Sequence, residues 1–382
     1  MKILCIVSSS IAGGATFSLL NTLTGLKSKG RDILVITPEE GFLCGELKKL
    51  QIPYTIEPIV FSVRPPLNSV KDIIKFIPRL IKNRVKYFIA FSHISKIIGN
   101  WKPDIIYTNV SVVDIGYNLA KRHNLPHLWH IREYSDKDFD WIYLPSISKY
   151  RRKLNDSFSI SITNDLKKYH QLGDKCKVIY NGIEDTGALS GKNISSNKII
   201  FVGRLTPNKG ALEVIESFAK VAYKTNYSLE FWGSCQEQFK LELEQLIRDK
   251  GLGKRVSLKG PTNNVYSVMQ NSRAIIVASK SEGFGRITAE AMQNGCLVIG
   301  KDTAGTKEQF DNGKQMTNEE IALRYNDGDS LSDAILRLSN MPESDYLTIT
   351  RNAKKVVGHL YSVQKNVAEI DNYIETILMG KK

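Results

Sequence analysis

Short apolar runs alternate along almost the whole chain with longer segments in which apolar positions recur every three or four residues. The runs predict strands at Ile3–Val7, Ile33–Thr37, Asp104–Thr108, His127–Ile131, Phe158–Ile162 and Lys177–Tyr180. A second series follows at Lys198–Val202, Ser228–Trp232, Arg255–Lys259, Ala274–Ser279 and Cys296–Gly300. The spaces between them hold helices; one spans Ala15–Ser28, with Gly30 placed to end it. Uniformly apolar strands separated by helix-period segments are the pattern of parallel sheets with crossover helices, so the expected class is α/β. The stretch Asp185–Asn197 between the two series is polar and rich in Gly, Ser and Asn, the composition of a linker. It divides the chain into expected domains at 1–185 and 186–360, each Rossmann-like and doubly wound, with ligands at the carboxyl ends of the strands. A final helical stretch, 361–382, is expected to pack back on the first domain.

The length of 382 residues exceeds what one hydrophobic core usually serves, which agrees with two domains. Five cysteines are scattered and never spaced as Cys-x-x-Cys, so neither a disulfide framework nor a zinc site is expected, and a reducing cytoplasm is the simplest home. No apolar run approaches the roughly 20 residues that span a bilayer, so any membrane association would be peripheral. The net charge of +14 is uneven. Between Arg64 and Lys102 nine basic residues stand against one acidic residue, Asp72, interleaved with Ile, Phe and Tyr. This pattern suits either an anionic membrane surface or a solvated helix face with its other side in the core.

Four segments carry candidate chemistry. In Ser279-Lys-Ser-Glu282-Gly283-Phe284-Gly285-Arg-Ile-Thr-Ala-Glu290, between two apolar runs, the glycines permit close backbone approach and the helix that begins near Arg286 points free N–H groups at the turn. That is a cradle for an anion or for sugar hydroxyls, with Glu282 and Glu290 reaching one ligand at different positions. In Gly203-Arg204-Leu-Thr-Pro-Asn-Lys209-Gly210, a Gly-bounded turn aims two cations at one spot, which suits a diphosphate. Ser8 to Thr16 joins the first strand to the first helix through Gly13 and Gly14, without a complete dinucleotide fingerprint. A short strand carries His130 toward its polar end, and Thr108 and Asn109 at the end of another are candidates for the acceptor side.

The string Glu282–Glu290 resembles the Glu-x7-Glu signature of retaining glycosyltransferases of family 4, including the Gly-Phe-Gly insert and the Ala-Met-x-x-Gly tail. Gly203–Gly210 is similar to that family's Gly-Arg-Leu…Lys-Gly element, Asn181-Gly182 to its interdomain turn, and Ala304–Glu308 to its later Gly-x-x-Glu loop near the donor. The resemblance runs from Gly13 to about Glu308. It implies a GT-B fold, two Rossmann-like domains facing each other across a cleft. It further implies retention without a covalent intermediate, with Glu282 gripping sugar hydroxyls, Glu290 the ribose, Gly13 and Gly14 facing the donor phosphates, and His130 beside the transferred sugar, accepting a hydrogen bond or polarising it.

A nucleotide-sugar donor, a UDP-sugar on family frequency, and a hydroxyl acceptor of lipid-linked type follow as partners. Neither a cofactor nor a metal is expected, since Arg204, Lys209 and the helix N-terminus could neutralise the leaving group. Tyr180 stands where the family commonly has proline, and the glycine loop lacks the longer Lys-containing form of starch and glycogen synthases, which puts α-glucan elongation in doubt. Two rivals remain open on sequence: a GT-B enzyme of another reaction, such as a sugar-nucleotide epimerase or a phosphorylase, and a basic nucleic-acid-binding protein, although no nucleic-acid recognition motif is visible.

Overall fold

The computed structural model describes residues 1–185 and 195–380. The expected linker therefore lies largely outside the described residues. The chain forms two compact units, one made of Met1–Gly182 with Val363–Lys382, the other of Ile183–Ser362.

In the first unit seven parallel strands lie in the order Tyr54–Ile56, Asp32–Thr37, Lys2–Val7, Ile105–Asn109, His127–Ile131, Phe158–Ser161 and Cys176–Val178. The central strands are apolar on both faces because helices cover both, which is why they read as continuous runs and not as alternation. One face packs Leu19, Leu23 and Leu26 of the helix Gly14–Ser28 together with Ile370, Ile374 and Ile377 of the helix Val363–Met379. Those two helices approach closely at Gly25, where a Cβ would stand 2.4 Å from Val367 Cγ2. The opposite face packs Ala90, Ile94 and Ile98 from the end of a long helix, Val70–Trp101, against the helix Ile115–His123 and its neighbours. A small antiparallel pair, Val63–Arg64 with Ile142–Tyr143, stands apart from the main sheet.

The second unit holds six parallel strands in the order Val256–Gly260, Ser228–Trp232, Lys198–Val202, Ala274–Val277, Leu297–Lys301 and Leu323–Tyr325. Its core gathers Phe201, Phe218, Phe231 and Tyr346. In both units the first strand of the unit is central and the order reverses beside it: Lys2–Val7 next to Ile105–Asn109, and Lys198–Val202 next to Ala274–Val277. A reversal of this kind leaves a crevice at the carboxyl ends of the two strands, because their crossover helices go to opposite faces.

Candidate active site

In the second unit the loops after the two switch-point strands carry the residues singled out in the sequence. Lys198–Val202 runs into Gly203 and Arg204, then a single tight turn, Pro207–Lys209, and the helix Ala211–Val221. Ala274–Val277 runs into Ser279 to Gly285 and the helix Arg286–Gln293. Lys209 Nζ donates to Glu282 Oε2 at 2.6 Å, so a cation from one strand end meets a carboxylate from the other. Arg204 is exposed and makes no ion pair among the described residues. Its position in the same loop as Lys209 leaves it available to an anion from solvent.

The Glu282 loop is fixed from behind. Gly305 N–H donates to the Glu282 carbonyl at 2.9 Å, and Gln309 Nε2 donates to the carbonyls of Phe284 and Gly285. Phe284 is buried, edge-on to Tyr361. Gly285 has φ of 80°, the left-handed region where a side chain is strained, and it caps the helix Arg286–Gln293. The hydroxyls of Thr288 and Thr306 flank it, since a Cβ there would lie 3.1 Å and 3.4 Å from their Oγ1 atoms, and both hydroxyls are buried with no partner among the described residues. Buried unpaired hydroxyls beside a helix N-terminus suit a ligand with several acceptor oxygens. Glu290 is half-buried and accepts from Arg286 Nη2 at 2.9 Å. Burial raises its carboxyl above the usual range, opposed by the Arg286 charge.

The first unit presents a separate set. Strand register places Val7, Asn109 and His130 at one level across the sheet. Gly13 caps the helix that starts at Gly14, and a Cβ on Gly13 would meet nothing within 4 Å, so the loop is open to an approaching group. His130 is fully buried. Its Nδ1 faces both the Tyr107 hydroxyl and Arg132 Nη2, the latter at 3.2 Å. A guanidinium has no acceptor, so Nδ1 must accept. Burial, helped by the Arg132 charge, holds the ring pKa well below its ordinary value and keeps it neutral, so the proton sits on Nε2. That Nε2 is buried and unpaired among the described residues. His130 therefore offers an N–H donor, which narrows the two roles the resemblance allowed.

Arg132 also donates to Asn109 Oδ1 and Asn181 Oδ1, each at 2.7 Å. Arg132 stands two positions after His130, the strand spacing that puts both on one side. The loop after Asn109 is strained: Val110, a β-branched residue, has φ of 90° and is held by its N–H to the His130 carbonyl and by Ser111, whose N–H and hydroxyl donate to Glu133 Oε1. Thr108 faces elsewhere, buried with its Oγ1 against His127 Nε2 at 2.8 Å. Among the described residues no three His, Cys, Asp or Glu side chains gather as metal ligands.

Comparison with known proteins places this geometry in context. Residues 186–356 match the family described as Glycosyl transferases group 1. Over 137 residues the chain is 28% identical to the capsular polysaccharide biosynthesis glycosyltransferase CapH of Staphylococcus aureus, covering 35% of this chain and 38% of that protein. Over 141 residues it is 33% identical to N-acetylgalactosamine-N,N'-diacetylbacillosaminyl-diphospho-undecaprenol 4-alpha-N-acetylgalactosaminyltransferase of Campylobacter jejuni, covering 36% and 38%. Each of those two matches thus spans little more than a third of the relative's length. The solved structure of Anabaena HepE in complex with UDP superposes with a TM-score of 0.80 at 19% identity, covering 98% of this chain and all of that one. The fold of the chain is therefore GT-B, and over residues 186–356 its sequence matches the glycosyl transferases group 1 family.

Proposed function

We propose that the chain is a retaining hexosyltransferase of family 4 that moves a sugar from a nucleoside diphosphate donor, a UDP-sugar, to a hydroxyl of a lipid-linked saccharide on the cytoplasmic side of a membrane, in cell-surface polysaccharide or glycolipid assembly. The observation that carries this reading is the Lys209–Glu282 pair at the switch point of the second unit, a phosphate-binding cation held against a carboxylate that can accept from sugar hydroxyls. The family match over 186–356, relatives that act in capsule and undecaprenol-linked saccharide synthesis, and a structural neighbour that binds UDP all support it.

In the transfer the bond from the anomeric carbon to the β-phosphate oxygen breaks and its electron pair leaves with the diphosphate. The acceptor oxygen bonds the anomeric carbon on the same face and gives its proton to the departing phosphate. Negative charge grows on the phosphate, so preorganised cations and N–H donors stabilise the transition state more than the ground state. Arg204, Lys209 and the N–H groups after Gly285 take that part. A phosphate that draws Lys209 away leaves Glu282 free for the sugar hydroxyls. Glu290, with one oxygen held by Arg286, accepts from the ribose. In the first unit Gly13 and Gly14 leave room beside the phosphates, His130 donates from Nε2 to a sugar hydroxyl, and Asn109 serves the acceptor; Thr108 acts through His127, not on a ligand.

The test is turnover of a nucleotide-sugar panel by Glu282→Ala and Arg204→Ala, with the anomeric configuration of the product read by NMR. Each variant is expected to lose about a hundredfold or more in kcat while keeping its circular dichroism and thermal midpoint. Near-normal turnover by either variant, or an inverted product, overturns the assignment.

A further inference from the structure

The helix Val70–Trp101 is 32 residues long, yet its buried side chains are Ala90, Ile94 and Ile98, all beyond its first twenty residues. That end is anchored, with Tyr87 accepting from Asn118 Nδ2 at 2.7 Å and stacking on Phe91. The first twenty residues bury no side chain completely, and they are not polar. Val70, Ile74 and Ile77 are 73%, 68% and 64% exposed, and Ile73, Ile81 and Phe88 are exposed as well. At about 100° per residue these six fall within an arc of roughly 100°. Lys71, Lys75, Arg79, Lys82 and Lys86 fall within roughly 80°, centred about 150° away. Arg84 interrupts the apolar stripe, but its guanidinium lies over the Phe88 ring at 5.9 Å, the posture of a stem that stays with apolar neighbours while its head reaches water or a headgroup.

The helix is built to stand in this form. Ser69 accepts from the Asp72 N–H as N-cap, and Asp72, the one acidic side chain between Val70 and Ile89, sits in the first turn where the helix dipole favours it. No helix among the described residues is long and apolar enough to cross a membrane. An exposed apolar stripe of this length with a basic back is the composition of a helix that lies in a bilayer interface.

We propose that residues 70–89 form a docking helix that lies flat in an anionic lipid leaflet, its isoleucines and Phe88 among the acyl chains and its basic row among the headgroups. Charge selects this occupant over a second copy of the chain. Six basic residues to one acidic residue would be repeated in the copy, with no acidic flank to pair with them. The proposal stands on the helix alone and goes beyond the proposed sugar transfer.

Co-sedimentation with vesicles tests it, using phosphatidylcholine alone and phosphatidylcholine mixed with phosphatidylglycerol. The protein is expected to pellet with the mixed vesicles and far less with the neutral ones. Ile74→Ser/Ile77→Ser/Ile81→Ser is expected to lower partitioning about a hundredfold, since three apolar side chains lose their insertion. Lys75→Glu/Arg79→Glu/Lys82→Glu is expected to lower it by a similar factor, about fivefold for each charge lost and more for reversal. All six positions are solvent-facing, so circular dichroism should not change. Failure to pellet with mixed vesicles, or pelleting of the isoleucine variant like the parent, overturns the proposal. So does a dimer that the isoleucine variant abolishes, or a single-stranded oligonucleotide bound as tightly by that variant as by the parent. Hydrolysis of the nucleotide sugar in solution reports separately: its absence with docking intact would count against the transferase reading alone.

Discussion

Gly305 shows how a single missing side chain places a functional one. A Cβ there would lie 2.7 Å from the carbonyl oxygens of Glu282 and Gly283, and backbone atoms cannot yield as a flexible side chain would. Gly305→Ala should push the Glu282 loop off its seat, cutting turnover at least tenfold and destabilising the second unit by about 1–3 kcal/mol. Steady-state kinetics and a urea titration of the variant check this, and parental values in both would show that the loop is not constrained there. In the sequence Gly305 was visible only as part of the loop Ala304–Glu308. Lys209 and Glu282 could each be picked out, but their contact depends on which strands are neighbours, and a linear pattern does not state that. Thr108 and Asn109 illustrate the opposite difficulty. Adjacent residues at a strand end point to opposite faces, so Asn109 reaches Arg132 and Thr108 reaches His127, and they could not both line one site.

At the level of elements, legibility followed burial. His127–Ile131, Lys198–Val202 and Ser228–Trp232 were readable to the residue because both their faces are covered and apolar residues dominate each, with His130 and Glu230 as internal polar exceptions. Tyr54–Ile56, Val63–Arg64, Ile142–Tyr143 and Leu323–Tyr325 were not, being two or three residues long at sheet edges or in a minor pair. The helix Val363–Met379 is tied to the first unit by Asp371, which is nearly buried and accepts from Arg31 Nε at 2.7 Å and Lys29 Nζ at 3.2 Å. Although its burial acts the other way, hydrogen bonds and charge from Arg31 and Lys29 hold its carboxyl below the usual range. Asp371→Asn removes the charge but not the volume, leaving Lys29 without its partner and Arg31 with Glu375 alone, and should cost the first unit about 1–3 kcal/mol. A lowered urea midpoint read by tryptophan fluorescence is the expected result, and an unchanged midpoint would show the helix held by its apolar face alone.

For the whole molecule, acid should act on the first unit before the second. Burial lowers the pKa of His127 to about 3 and of His170 to about 4, and that of His130 well below its ordinary value; all three lie in the first unit. Below the unfolded value near 6.5 the unfolded chain binds protons that the folded chain refuses, so stability is present above that pH and is lost as pH falls. Each histidine contributes a slope of about 1.4 kcal/mol per pH unit. Glu133 opposes them, because burial raises its pKa and the folded state then holds a proton that the unfolded state releases. Three histidines outweigh one carboxyl, so the net expectation is a loss of stability between pH 7 and pH 5. Three of the four tryptophans, Trp101, Trp129 and Trp141, belong to the first unit, so their fluorescence in urea follows it. A midpoint that stays level across that range would contradict the buried neutral histidines.

The passage of the chain from the first unit into the second at Ile183 and back at Val363 has a consequence for the growing polypeptide. The second unit is one unbroken stretch, so its core needs no segment made after Ser362. The first unit leaves a face of its sheet uncovered until Ile370, Ile374 and Ile377 have been translated, so the half made earliest is the half that finishes folding last.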